Sequence, residues 1–283
     1  MTQSGVSSSG ESPREGRLPA VCDGGRAEAW TRRQRWRRER HIVSALTRHG
    51  VGVTLSRVGL PGLLPFQWGI LGHGRREEPY SGPEHLRLAF EDLGPTFIKL
   101  AQILSTRGDL IGVDYALELA RLQSGVPPVP FDDVASVLDR ELGCSHGEVF
   151  SEIDPTPIGS GSIGQVHRAT LRSGENVVVK VQKPGVADEV VLDLAILRSW
   201  LVRHTLRRRS SITVDVEGFF DEFAFTLLNE LDYRNEAENA ARLREIHAGD
   251  PTILIPAVHW AQSTKMVFVL SLIHISEPTR HVD

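Results

Sequence analysis

Six residues constrain this chain more than any others: Gly159-Ser160-Gly161-Ser162-Ile163-Gly164, which with Val166 fit the spacing G-x-G-x-x-G-x-V. Residues without side chains let backbone N–H groups approach phosphate oxygens closely. Glycine-rich turns are common, so the neighbours must decide what the loop does. Residues 165–171 read as a strand, 172–175 as a turn containing glycine, and 176–181 as a second strand with the β-branched run Val177-Val178-Val179. A dinucleotide-binding unit would place a helix directly after the glycines, then a strand ending in a carboxylate.

Here the second strand carries Lys180 near its end, a lysine where that fold wants an acid. Loop, strand, hairpin and strand with lysine is the order of a protein-kinase small lobe. The chain has no G-x-x-x-x-G-K-[ST], which excludes the other common phosphate loop. A kinase lysine needs a carboxylate to hold it against the phosphates. Helical residues 229–238 offer Glu230, Asp232, Glu236 and Glu238, with Asp232 and Glu236 four apart on one expected face. The plainer alternatives are a surface lysine closing an exposed strand and carboxylates decorating a solvated helix.

Around this unit the pattern suggests four regions. Residues 1–82 are basic and partly disordered, 83–151 form a helical extension, 152–269 the kinase-like small lobe, and 270–283 a separate tail. Residues 1–25 are rich in Ser, Gly and Glu without an apolar core, so no signal peptide is expected. Residues 26–48 suit a basic helix carrying Trp30, Trp36, Ile42, Val43 and Leu46. It reads as a solvated surface helix with a few packing residues, or as a contact for anionic lipid or nucleic acid. The apolar window 51–71 is broken by Arg57, Pro61 and Pro65 and makes a poor membrane span.

Helices are expected over 86–93, 95–106 and 132–142, with Gly94-Pro95 separating the first two. Strands are expected over 153–158, 253–255 and 266–269. Helices are expected over 186–203 and, unbroken, from 216 to about 247. The fold class is α+β, with a five-stranded antiparallel sheet, a helix of the αC type and the helical extension. Two cysteines, Cys22 and Cys144, lack metal-ligand spacing and fit a reducing, cytoplasmic compartment. A net charge of −4 gives no general attraction to nucleic acid, and residues 32–40 belong to no known nucleic-acid module.

Four ordered segments within residues 84–269 carry a family resemblance. They are Phe97-Ile98-Lys99-Leu100-Ala101-Gln102 with Ser105-Thr106-Arg107; Ser162-Ile163-Gly164-Gln165-Val166-His167-Arg168-Ala169; Val179-Lys180-Val181-Gln182-Lys183-Pro184-Gly185; and Glu230-Leu231-Asp232-Tyr233 with Glu236-Ala237 and Asn239. The chain resembles the UbiB/ABC1/AarF atypical kinases, also called the coenzyme Q kinase family. The resemblance implies that Lys99 and Gln102 are a K-x-G-Q pair on an extension folded over the site. Glu230 and Asp232 look like the family's E-x-D motif, and Glu236 like the partner of Lys180. It also implies ATP with Mg²⁺, and a role in isoprenoid quinone or lipid metabolism. Two positions depart from the family pattern: Ala101 replaces a glycine, and the loop is Gly/Ser-rich where the family's is alanine-rich.

The family continues into a large lobe carrying the catalytic Asp and Asn and the Mg²⁺-binding Asp, which are expected to be absent here. The string from Leu270 to Arg280 resembles the translation of a transposase adapter, so residues 270–283 are expected to be foreign. The expected function is an ATP-binding atypical kinase or ATPase, inactive in this fragment. The alternative is a non-catalytic nucleotide-sensing or lipid-associated scaffold. Expected partners are ATP, a lipid or isoprenoid, and a membrane surface touched through residues 26–48.

Overall fold

The computed structural model describes residues 30–50, 80–123, 126–207 and 215–272. The expectations for residues 1–25, for the apolar window at 51–71 and for 273–283 fall outside them.

The extension begins with α1 (Arg32–Arg48), whose first turn is closed by a reciprocal cap between Thr31 and Gln34. Next come α2 (Gly82–Leu93), capped by Ser81 and Glu84, and α3 (Pro95–Ser105). Gly94 joins them at φ +88, and a Cβ there would meet Glu189 Oε1 at 3.2 Å. Short helices α4 (Gly108–Ile111) and α5 (Val113–Ala120) follow, then α6 (Phe131–Leu142) and the single-turn α7 (His146–Val149).

The sheet contains β1 (Phe150–Ile153), β2 (Gly159–Ser160), β3 (Gly164–Leu171), β4 (Asn176–Gln182) and β5 (Val267–Ser271). Its order is β1-β3-β4-β5, with β2 also on β3, and every pairing is antiparallel. After β4 come α8 (Val186–Arg207), α9 (Val216–Glu230) and α10 (Tyr233–Ile246).

Four expectations change. The first strand spans Phe150–Ile153 and not 153–158, because Pro155 and Pro157 lack the N–H needed for a continuous ladder. Residues 253–255 are not a strand: Pro251 and Pro256 flank them, and only Val258 bridges to Leu270. The long helix breaks at Leu231-Asp232, where the Asp232 carboxylate turns back to cap α10 by accepting from the Arg234 N–H. β5 also continues through Leu270 and Ser271, paired with Val178 and Val177.

Pleating divides the sheet into two faces. Val177, Val179 and Val181 join Val267, Val269 and Phe150 under Val134, Val137 and Leu138 of α6. Lys180 alternates with them and emerges on the other face, as does its β5 partner Phe268, which packs with Tyr233 and Ala237 of α10. A second core joins α1, α2, α3 and α5 to Leu192 and Ile196 of α8. Ala101 lies wholly buried in that core, so its methyl contributes packing within the bundle.

One buried ion pair ties the extension to α8. Asp193 is fully buried and accepts from Arg38 Nε and Nη2, each at 2.7 Å, and from Thr96 Oγ1 at 2.8 Å. Arg38 also donates to Leu93 O at 2.7 Å and pairs with Glu189 at 2.9 Å. Burial works against the Arg38 charge, but the Asp193 contacts outweigh it and its pKa lies above the ordinary value. Removing one partner strands a buried charge. Asp193→Ala is therefore expected to cost about 3–5 kcal/mol of unfolding free energy, measured by urea denaturation.

Candidate functional site

The site grows out of the face on which Lys180 emerges. Its Nζ lies 2.6 Å from Glu236 Oε2, and it sits 4.7 Å from the centroid of the Tyr233 ring. Glu236 and Tyr233 are three apart on α10, so the helix break at Leu231-Asp232 aims both at β4 together. The backbone fixes that start: Tyr233 N donates to Lys265 O at 3.0 Å, and Gln182 Nε2 donates to Leu231 O at 2.8 Å. Gln182 and Tyr233 belong to the resemblance segments, but sequence reasoning gave neither a role. The two-residue spacing of Lys180 and Gln182 on β4, which puts both on one face, was the available signal.

The glycine loop folds back as β2 and the start of β3, with Gly161 N donating to Gly164 O at 2.8 Å. Its glycines do different jobs. A Cβ on Gly164 would overlap the Tyr233 hydroxyl and lie 2.7 Å from Val181 O, so this position is glycine because the protein itself fills the space. Gly159 has nothing within 4 Å of an added Cβ, and Gly161 meets only Gly164 O at 3.6 Å. Neither is held in a left-handed conformation. Packing and backbone strain therefore leave the choice of glycine at 159 and 161 unexplained, whereas a ligand close to the backbone would explain it.

Ile163 is buried against Val186, Val190, Leu194 and Phe223, and Lys183 N donates to Ile163 O at 2.8 Å. It anchors the loop by packing. Val166 lies opposite Lys180 in the ladder, on the same face. Ser160 Oγ, Gln182 Oε1 and Tyr233 Oη are all buried around the loop without a hydrogen-bond partner, an arrangement that calls for an explanation. Ser162 is half-buried at the turn.

The remaining candidates separate. Lys99 on α3 forms a close ion pair with Glu230 at the end of α9, joining extension and lobe beside Tyr233. Gln102 does not share that contact; its amide reaches Leu122 O at 3.4 Å. Asp232 does not meet Glu236. It accepts from Arg234 Nη2 at 2.5 Å, and that side-chain contact, with the Arg234 N–H, holds its pKa below the usual carboxylate range. Burial pushes the Tyr233 phenol far up, with Glu236 and Glu230 adding to the shift, so it stays protonated at any physiological pH. Burial also lowers Lys183, whose ammonium donates to Pro127 O at 2.9 Å.

Residues 121–281 match the sequence profile of the ABC1 atypical kinase-like domain. The chain belongs to this family. Among similar ABC1 proteins is a probable protein kinase UbiB of Marinobacter nauticus, 39% identical over 194 residues, covering 68% of this chain and 35% of that protein. Protein ACTIVITY OF BC1 COMPLEX KINASE 3, chloroplastic, of Arabidopsis thaliana is 40% identical over 186 residues, covering 65% of this chain and 26% of that protein. The chain thus spans between 26% and 35% of the length of these ABC1 relatives. A solved complex of Rv3197 with erythromycin from Mycobacterium tuberculosis is 30% identical, with a TM-score of 0.47 over 62% of this chain and 48% of that one. Membership makes the sheet with α10 an ABC1 kinase-like small lobe. Among the described residues no helix is long and apolar enough to cross a membrane.

The Asp232 cap yields a pH prediction. Its folded pKa is depressed, so its contribution is present above the unfolded value of about 4 and is lost as pH falls through the folded value. Asp232→Asn keeps the cap but not the charge, and should flatten that acid limb in thermal melts. Asp232→Ala should in addition cost about 1 kcal/mol near neutral pH.

Proposed function

We propose that this chain carries the nucleotide-gripping half of an ATP-dependent atypical kinase or ATPase that supports isoprenoid quinone or lipid metabolism. The observation carrying this reading is the Lys180–Glu236 pair at 2.6 Å beside a loop in which a Cβ at Gly159 would meet nothing within 4 Å and one at Gly161 only Gly164 O at 3.6 Å. In it Lys180 grips the α/β-phosphates, Glu236 holds Lys180, and residues 159–164 cover the phosphates. Lys99 with Glu230 fixes the extension over the site, and Gln102 and Asp232 brace its edges. Bound ATP supplies the transferable phosphoryl group. Among the described residues no group of three or more His, Cys, Asp or Glu is placed to hold a metal ion. In this reading the metal ligands and the catalytic Asp belong to the family's large lobe.

The purified chain should bind ATP, with Lys180→Ala weakening it by about tenfold or more, measured by calorimetry or a fluorescent analogue. Glu236→Gln should weaken it less, since the ammonium remains. ATP hydrolysis by this chain, lost in Lys180→Ala, would overturn the assignment of the chemistry to the large lobe. Unchanged affinity in Lys180→Ala would instead favour the non-catalytic scaffold.

Membrane contact has a specific observation in its favour. α1 turns Ile42, Ala45 and Leu46 inward and presents Arg33, Arg37 and Arg40 outward, beside a Trp36 that is 57% exposed. The Arg40 guanidinium lies 5.4 Å over the Trp36 ring. Such a face suits anionic headgroups with an interfacial tryptophan. Co-sedimentation with phosphatidylglycerol vesicles, absent with phosphatidylcholine and weakened by salt or by Arg37→Glu with Arg40→Glu, is the expected result. Equal binding to both vesicle types would remove the reading.

A further inference from the structure

We infer that Tyr233 is the positioning residue for Lys180: its ring is the platform that sets the height of the ammonium, and its hydroxyl, lodged in the space left by Gly164, locks the ring to the loop. This deepens the nucleotide-binding reading and rests on it.

The geometry has three parts. The Lys180 ammonium is held from two directions, by Glu236 Oε2 at 2.6 Å and by the Tyr233 ring at 4.7 Å from its centroid. A single flexible carboxylate, itself 48% exposed, restrains distance but not direction. An aromatic face beneath the ammonium supplies the second restraint, and a ring 2% exposed is far less free to move than Glu236. Next, the ring cannot swing away. Its backbone N–H is tied to Lys265 O, it packs with Ala237 and Phe268, and its hydroxyl fills the site where residue 164 would carry a side chain. Last, the hydroxyl has no hydrogen-bond partner. An unpaired buried hydroxyl is costly, so packing alone would have been better served by phenylalanine. Its retention at the loop joins the position of Gly164 to that of Lys180. A loop pressed down on phosphate therefore meets a lysine already aimed at it.

The test compares ATP and adenosine binding in wild type, Tyr233→Phe, Tyr233→Leu and Lys180→Ala. Tyr233→Phe keeps the platform but removes the hydroxyl that locks the ring to the loop, so it should weaken ATP binding measurably but less than Tyr233→Leu does, with adenosine unchanged. Tyr233→Leu should lose about fivefold for ATP, the range of a partly exposed cation–π contact, and leave adenosine unchanged because no phosphate is involved. Equal losses for ATP and adenosine would show a merely structural residue, and wild-type ATP affinity in Tyr233→Leu would show an irrelevant one; either overturns the inference while leaving the nucleotide reading intact. Failure of wild type to bind ATP, or a Lys180→Ala variant that binds it normally, would remove both.

A measurement on the unmutated fold guards against a misfolded leucine variant. After reductive ¹³C-methylation, the Lys180 methyl resonance, assigned by its loss in Lys180→Arg, should be shifted upfield by the ring in wild type and in Tyr233→Phe. A resonance at the position of exposed lysines would overturn the platform.

Discussion

Strand parity is the constraint on which the rest of the molecule depends. Val177, Val179 and Val181 must face α6 to build the core behind the sheet, which forces Lys180 onto the opposite face. An ammonium emerging from the middle of a sheet needs a counter-charge and cover, and α10 supplies both through Glu236 and Tyr233. A one-residue slip of β4 would bury the lysine among valines and expose three of them. The hydrophobic pattern of one strand thereby fixes where the charged site lies, and α10 must begin where it does to meet it.

The loop and the two strands of the hairpin were legible because each rests on local or periodic signals, whereas Glu236 was singled out from four carboxylates at 229–238 only by the family resemblance. Gly-x-Gly-x-x-Gly spacing, a β-branched run and a carboxylate on an adjacent helix survive translation into three dimensions. The break at Leu231-Asp232 was not legible. Helix propensity through 216–247 is nearly uniform, and what stops the helix is nonlocal: Gln182 takes the Leu231 carbonyl and Lys265 takes the Tyr233 N–H. Asp232 then serves as a cap, so its four-residue spacing from Glu236 no longer means a shared helical face. The same kind of error affected residues 253–255, where composition suggested a strand but flanking prolines left only the bridge at Val258. Lys99 and Gln102 diverge for a related reason. Helical spacing aligned their Cβ vectors, while the partners that claim the side chains, Glu230 and the Leu122 carbonyl, lie on different elements.

Gly164 shows how a correct residue can be given an incomplete reason. The motif treats its three glycines as one device for admitting phosphate, yet the structure divides them. Gly164 is glycine for Tyr233 and the β4 backbone, whereas an added Cβ would meet nothing within 4 Å at Gly159 and only Gly164 O, at 3.6 Å, at Gly161. With Ile163 fixed in the apolar cluster of α8 and α9, the loop has one anchored end and one open end.

The helical extension completes the same logic at longer range. Arg38, Asp193 and Thr96 hold it to α8, and α8 carries Val190 and Leu194, the side chains that anchor Ile163. On the far side, Lys99 reaches Glu230, which ends the helix immediately before Tyr233. The extension therefore contacts the site at both of its supports, the rooted end of the loop and the start of α10. On the α8 side the connecting residues Val190, Leu194 and Ile196 are buried and close-packed. That is a mechanical reason for an ABC1 small lobe to carry a helical extension packed against it.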